Sequence, residues 1–558
     1  MLLLALLLAF PAVSPRGAVA AAHPLAAEAG ASLLGRGGNA VDAAVAAAFA
    51  LGVVEPQSSG IGGGGFALVF TAKDKQVHAL DFRELAPLRA TPDMYLEKGQ
   101  PRQDLANAGP LSVAVPAAVR GYAELVKRFG AKPLNQVVSP AEQIALRGFP
   151  VDLPFVRASE ERKECLAADP EAARTFLRNG ETLDPGDLLR EPELSRTLHL
   201  IGQRGPDAFY KGRIARSIVE TLKKRGGILE EGDFDKVAMR ERAPLESTYR
   251  GHRVVTMSLP SAGGALLLAL LNVLEREQPR AGGYRPERFL HVMIEAEKRL
   301  FALRQSMGDP AFNSGLEERV RRMVTKEFAG ELHQEIGERA TPTATLVQAA
   351  QHGTTSVSAI DEEGNAVVLS TTVNDAFGSC VMAKGTGVLL NDQMDDFSVA
   401  PGVPNAYGLR GDFENAPGPG KIPLSSMAPT LLFGPAGELE LAIGAAGGAT
   451  IPTTVVQAIS HLVDDGMRID RAIGAPRIHH NLFPDVVHVE PAGLEAATAR
   501  ALEARGHQLK FGGEPGHDEG PGLFGSTWGK ACAVQVDPER DWRIATCDPR
   551  SHGSGAVP

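Results

Sequence analysis

The apolar positions of the chain fall into runs of different period, and those periods divide it into two parts. Near the N-terminus Gly17-Ala18-Val19-Ala20-Ala21 reads as a short buried strand. Two Ala-rich helices follow, about His23 to Leu34 and Asn39 to Leu51, with Gly35 suited to the end of the first and Asn39 to the N-cap of the second. A glycine cluster, Gly60-Ile61-Gly62-Gly63-Gly64-Gly65, then leads into a strand-like run, Phe66 to Phe70. From about 115 to 350 the pattern is mostly helical, including charged helices at Arg213–Lys224 and Pro286–Met307 and an apolar helix opened by Pro260-Ser261-Ala262-Gly263-Gly264. From Thr354 onward alternating, β-rich segments are separated by long Gly/Pro loops. The charge block Glu160–Glu164 reads as a solvated helix face.

The first fourteen residues, MLLLALLLAFPAVS, form an apolar run too short to span a bilayer. The run has the character of an export signal, with Ala12-Val13-Ser14 as a small-residue cleavage site, although no Lys or Arg precedes it. Export to a periplasmic or extracellular location is the expectation, and no later stretch reads as a membrane span. Length and composition add limits. The 558 residues carry a net charge of −10 with 44% hydrophobic and 22% charged side chains, which describes a globular protein and not a basic nucleic-acid binder. Four cysteines in so long a chain are no disulfide scaffold. Cys532 and Cys547 flank a hairpin whose turn spans Pro538 to Asp541, and their symmetry about it makes them a candidate pair; Cys165 and Cys380 are then expected to be unpaired.

Candidate chemistry starts at a second hairpin. The loop Glu362-Glu363-Gly364 suits a three-residue turn whose last position needs φ > 0. Centred on Glu363, the hairpin sets Thr354 opposite Thr372, with Asn374 further along the same face. On the hairpin alone an ordinary Thr–Thr sheet pair is the commoner reading. The glycine cluster is no dinucleotide fingerprint, because the order is helix, glycines, strand. His479, His480 and His488 have no recognised metal-ligand spacing, so no metal is expected.

The surrounding motifs change the weight of that threonine pair. Gly38-Asn39-Ala40-Val41-Asp42-Ala43-Ala44, Gly62-Gly63-Gly64-Gly65-Phe66, Asp81-Phe82-Arg83-Glu84 and Gly353-Thr354-Thr355 occur in that order. Asn391-Asp392-Gln393-Met394-Asp395-Asp396-Phe397-Ser398, Pro423-Leu424-Ser425-Ser426-Met427-Ala428-Pro429 and Gly447-Gly448 follow. In these motifs the chain resembles the gamma-glutamyltranspeptidase family from about Gly17 to Arg550.

The resemblance implies an α+β fold of the N-terminal-nucleophile hydrolases, an αββα sandwich with two stacked antiparallel sheets between helical layers. It implies a proenzyme that cuts itself between Gly353 and Thr354. A large subunit, 15–353, and a small catalytic subunit, 354–558, would then form one intertwined heterodimer. Thr354 would be the nucleophile, with its own α-amino group as base and Thr372 as hydrogen-bond partner. Arg83 would clamp a substrate α-carboxylate, helped by Ser425 and Ser426, while Asp396, Asn374 and Gln393 would hold the α-ammonium. Gly447 and Gly448 would form the oxyanion hole, and Tyr407 would lie on a lid over the site.

No cofactor is needed. The substrates implied are glutathione and other γ-glutamyl donors, with amino acids, peptides or water as acceptors. The family commonly has histidine two residues after the nucleophile, where this chain has Ser356. The alternatives are a related cephalosporin-type acylase and a non-catalytic protein binding amino-acid-like ligands. Arg83 together with Asp396 favours a glutamyl donor, since a glutaryl group lacks the ammonium that Asp396 would meet.

Overall fold

The computed structural model of the protein describes residues 11–279, 285–346, 355–405, 409–512 and 528–558. The helix Ala40–Val54 starts where the sequence predicts, because Asn39 and Asp42 form a capping box. The Asn39 Oδ1 accepts from the N–H groups of Val41 and Asp42 at 3.1 Å each, and the Asp42 carboxylate accepts from the Asn39 N–H at 3.0 Å. This helix is apolar all round, which only a buried helix can be. It packs between the helix Pro24–Gly35 and the strands Thr355–Asp361 and Ala366–Thr372.

Those strands lie at the centre of a seven-stranded antiparallel sheet. From edge to edge it runs Arg240–Arg242, Gln76–Phe82, Gly64–Thr71, Ala366–Thr372, Thr355–Asp361, Gly17–Ala21 and Ser554–Ala556. A second seven-stranded sheet runs Ala12–Ser14, Trp542–Cys547, Lys530–Asp537, Leu439–Ala446, Thr430–Phe433, His252–Thr256 and Leu245–Tyr249. The two sheets stack face to face. The Ser358 hydroxyl donates across the gap to the Cys532 carbonyl at 3.0 Å, and the rings of Phe70 and Phe433 meet edge-on at 5.0 Å. Helices Gly263–Leu274 and Thr450–Asp465 cover the second sheet as Ala40–Val54 covers the first. The result is the expected αββα sandwich of an α+β protein.

Two regions depart from the pattern reading. The mostly helical region contributes three strands to the two large sheets, Arg240–Arg242, Leu245–Tyr249 and His252–Thr256. They are short, two at sheet edges and His252–Thr256 just inside one, so only Leu245, Tyr249, Val254 and Val255 carry the buried apolar signal that betrays a strand. Ala12–Ser14, assigned from sequence to the end of an export signal, pairs antiparallel with the edge strand Trp542–Cys547. A cut after Ser14 would therefore uncover that edge.

The cysteines divide into one expected and one unexpected pair. Cys532 and Cys547 are cross-strand partners with Cα atoms 4.1 Å apart, and they form a disulfide. Cys165 and Cys380, expected to be unpaired, also form a disulfide, with Cα atoms 5.8 Å apart. They are separated by 215 residues, and no local register could reveal that they meet.

The glycine cluster is explained by close approach of backbones. A Cβ on Gly63 would lie 1.9 Å from the Thr372 carbonyl oxygen, one on Gly65 would lie 2.0 Å from that of Ser370, and one on Gly62 would lie 2.0 Å from that of Leu389. The obstacles are carbonyls fixed in or beside the central sheet, so they cannot swing away. Gly65→Ala should consequently lower the thermal midpoint, with a destabilisation of about 1–3 kcal/mol or more by analogy with overpacked cores. A midpoint equal to wild type in differential scanning calorimetry would contradict this close-contact account.

Candidate active site

The hairpin Thr355–Asp361/Ala366–Thr372 has the register read from the sequence, from Thr355 opposite Thr371 to Ile360 opposite Ala366. Gly364 takes φ 84°, as its loop position requires. Gly353, Thr354 and the lid residue Tyr407 lie outside the described residues. Thr372 ends the strand, buried, and its Oγ1 accepts the backbone N–H of Asn374 at 2.8 Å. Asn374 itself sits at φ 83°, which turns the chain sharply away from the sheet.

From that turn a continuous polar chain runs through the predicted residues. The Asn374 amide donates to the Asp392 carbonyl at 3.2 Å. The Gln393 amide donates to Asn374 Oδ1 at 3.1 Å and to Asp396 Oδ2 at 2.8 Å. Asp396 in turn forms an ion pair with Arg83, which emerges just after the strand Gln76–Phe82 and is 1% exposed. Arg83 also reaches the carboxylate of Glu84 at 3.4 Å. Burial raises the Asp396 carboxyl above its ordinary value, against the opposing pull of Arg83 and of Arg304. Arg304 is itself buried and lowered to about 10 by that burial.

The serines join from another direction. Ser425 Oγ accepts from the Met427 N–H at 3.1 Å, and the Ala262 N–H donates to the Ser425 carbonyl at 2.9 Å. Asn415 ties this segment to the acidic one, donating to the Asp396 carbonyl at 2.7 Å and accepting from the Leu424 N–H at 3.1 Å. The segment also pairs with the stretch after Arg83, through the Ala86 N–H donating to the Lys421 carbonyl at 2.8 Å.

Several buried polar atoms of this group have no hydrogen-bond partner among the described residues: Arg83 Nε, Ser426 Oγ, Gln393 Oε1 and Glu84 Oε1. Orphaned buried polar atoms are costly, and finding donors and acceptors together marks a place built for a polar ligand.

Gly447 and Gly448 take φ 121° and 55° between the strand Leu439–Ala446 and the helix Thr450–Asp465. A Cβ on Gly447 would meet Thr450 Oγ1 at 2.4 Å and Gly529 Cα at 2.7 Å. The pair therefore opens a helix N-terminus, where N–H groups and the helix dipole favour negative charge. Ser356 faces the second sheet and sits over Gly444, whose Cβ would lie 2.0 Å from Ser356 Oγ. A larger side chain at 356 would press against that strand.

Sequence reasoning missed several neighbours. Glu55 accepts the Thr355 hydroxyl at 3.2 Å, and burial pushes its carboxyl up to about 7. Asn415 and Arg304 lay outside every recognised motif. Arg162 corrects the solvated-face reading of the Glu160–Glu164 block. It turns inward to donate to Asp375 at 3.1 Å, the Gly378 carbonyl at 2.9 Å and Asn107 at 3.0 Å. His479, His480 and His488 are buried, and no group of three or more His, Cys, Asp or Glu among the described residues is placed to hold a metal.

Stacked antiparallel sheets between helices, with a buried polar site at the end of the central hairpin, define the N-terminal-nucleophile hydrolase class. The chain matches the family described as Gamma-glutamyltranspeptidase over residues 26–557. It is 38% identical to the glutathione hydrolase proenzyme of Escherichia coli strain K12, over 89% of this chain and 87% of that protein. In structure it is similar to a cephalosporin acylase from Bacillus halodurans, with a TM-score of 0.84 and 28% identity, covering 98% and 96% of the two chains. It is also similar to the Helicobacter pylori gamma-glutamyltranspeptidase, with a TM-score of 0.56 and 36% identity, covering 58% of this chain and 93% of that one. The chain belongs to the gamma-glutamyltranspeptidase family.

Glu84 makes the electrostatics testable. It is fully buried, and its carboxyl is pushed up to about 7 by that burial, with Arg83 opposing. Between its ordinary value of 4.5 and about 7 the folded protein keeps a proton that the unfolded chain has released, so folding stability falls as pH rises through that window. Glu84→Gln should flatten this decline, so that the variant loses less stability than wild type between pH 5 and pH 8. Parallel urea-unfolding curves for the two proteins would count against the raised carboxyl.

Proposed function

We propose that this protein is a self-processing γ-glutamyltransferase with glutathione hydrolase activity. The observation that carries the reading is the buried Arg83–Asp396 pair, surrounded by buried donors and acceptors that have no partner among the described residues. A glutamyl group brings a carboxylate and an ammonium on one carbon. Its carboxylate replaces Asp396 on Arg83 and takes the Ser425 and Ser426 hydroxyls, while its ammonium replaces Arg83 on Asp396 and takes Gln393 and Asn374. Each buried charge exchanges one partner for another, so neither is left bare.

Maturation follows from the same strand. The Thr354 hydroxyl attacks the Gly353 carbonyl, the acyl group shifts from nitrogen to oxygen, and water opens the ester to leave a Gly353 carboxylate and a free Thr354 amine. In the catalytic cycle Thr354 Oγ attacks the γ-amide carbonyl, and its α-amino group takes the proton and passes it to the leaving amine. An α-amino group titrates near neutrality, which suits this work. Thr372 orients the nucleophile, the N–H groups of Gly447 and Gly448 receive the oxyanion, and Tyr407 shields the bound donor. Water or an amino acid or peptide then takes the γ-glutamyl group.

The subunits 15–353 and 354–558 stay together as a heterodimer. We place the protein in the periplasm or outside the cell, with residues 1–14 as export signal. Disulfides among all four cysteines support an oxidising location, and among the described residues no helix is long and apolar enough to cross a membrane.

The likeness to a cephalosporin acylase keeps that activity as the second reading. A donor panel of glutathione, γ-glutamyl anilide and glutaryl anilide on matured protein separates the two, and preference for the glutaryl donor would overturn the glutamyl assignment. Arg83→Ala and Asp396→Ala should each lower kcat/KM for glutathione about tenfold or more, from a charge-assisted contact worth roughly 1.5–3 kcal/mol. Near wild-type kinetics in both variants would remove these residues from the donor site. Thr354→Ala should stay a single uncut chain without activity, whereas Thr372→Ala should slow both cutting and turnover. Turnover of γ-glutamyl amides by an uncut wild-type chain would rule out the N-terminal-nucleophile mechanism.

A further inference from the structure

The second disulfide joins parts of the chain that the proposed maturation separates. Cys165 lies on the short helix Lys163–Ala167, within the large subunit. Cys380 lies in the bend that leaves the central strand at Asn374, within the small subunit. Only four cysteines exist, and the remaining two, Cys532 and Cys547, pair with each other inside the small subunit. Once the peptide bond between Gly353 and Thr354 is cut, the Cys165–Cys380 bridge is the one covalent link between the two products. We propose that the matured protein is a covalent heterodimer, cross-linked through Cys165 and Cys380. The proposal rests on the maturation put forward above.

The surroundings of the bridge bind the same two pieces. Arg162, one turn before Cys165, forms an ion pair with Asp375 at 3.1 Å and donates to the Gly378 carbonyl at 2.9 Å. Phe377 is fully buried against Phe155 and Phe176 of the large subunit, at ring distances of 5.6 and 5.2 Å. The Cys380 N–H closes the bend on the Phe377 carbonyl at 2.9 Å. The bridge is thus set into a packed contact that already brings both sulfurs together in the uncut chain.

Formation is a two-electron exchange with a disulfide-bearing oxidoreductase. The thiols of Cys165 and Cys380 become one S–S bond, and the oxidoreductase's disulfide becomes two thiols. The consequence is physical as well as topological. Two separate chains associate with a stability that depends on their concentration, whereas cross-linked chains re-form their contact within one molecule. The bridge also pins the bend that begins at Asn374, so the large subunit holds a binding segment of the small one covalently in place.

The experiment is an SDS gel of matured wild-type protein, denatured in the presence of an excess of alkylating reagent so that any free thiol is blocked as it becomes exposed. Without reductant one band should run near the mass of the whole chain. With dithiothreitol it should separate into bands of roughly 36 and 22 kDa, estimated from the share of the chain in each piece. Cys165→Ser should give both bands without reductant, whereas Cys532→Ser should still give one. Two bands from wild type without reductant would overturn the cross-link. A single band in both lanes would mean that maturation had failed, and the bridge is then decided separately by mass spectrometry of an unreduced digest. A peptide pair joined through Cys165 and Cys380 supports the bridge, and alkylated Cys165 and Cys380 overturn it.

Discussion

The ion pair between Arg83 and Asp396 is the contact on which the site depends. Both charges are removed from water, and such a pair is held only when geometry and further hydrogen bonds offset the loss of solvation. Here Gln393 and Asn405 share the carboxylate, and Arg304 adds a second positive field. The residues come from opposite sides of the Gly353–Thr354 position, 313 apart in sequence. This buried pair therefore exists only when both halves of the chain are folded together.

What holds those halves in register is the near absence of side-chain thickness where strands meet. Gly62, Gly63 and Gly65 bring the strand Gly64–Thr71 and the turn before it against the carbonyls of Leu389, Thr372 and Ser370. Thr372 is thereby fixed at the end of its strand, and Asn374 can turn toward Gln393 and Asp396. Gly444 admits Ser356 in the same manner on the facing sheet. A polar site can be built beside such a rigid centre because its carbonyls and N–H groups hardly move.

The relation of the two cysteine pairs to the two halves follows from this architecture. Cys532–Cys547 ties neighbouring strands of one sheet, where contact is already local. Cys165–Cys380 ties a helical corner to the bend beside the site, where the aromatic cluster of Phe155, Phe176 and Phe377 already joins the two halves. Arg162 adds an ion pair to that same corner.

By itself the sequence determined what depends on neighbours along the chain. The three-residue loop ending in Gly364 set the register of both flanking strands, because side chains alternate with period two and a positive φ has one natural occupant there. Asn39 and Asp42 marked a helix start through contacts only three residues apart, and the turn between Cys532 and Cys547 placed those sulfurs opposite one another. The motifs around Arg83, Asp396 and Gly447 identified the family and with it the sandwich. Only the tertiary structure decided that Arg83 and Asp396 pair with each other, that Asn415 bridges Asp396 to Leu424, that Arg162 turns inward and that Cys165 meets Cys380. The physical reason is that these contacts join residues from 9 to 313 positions apart, beyond the reach of any turn or period. No period or turn rule carries that information, and it arises only when packed layers bring distant segments to one place.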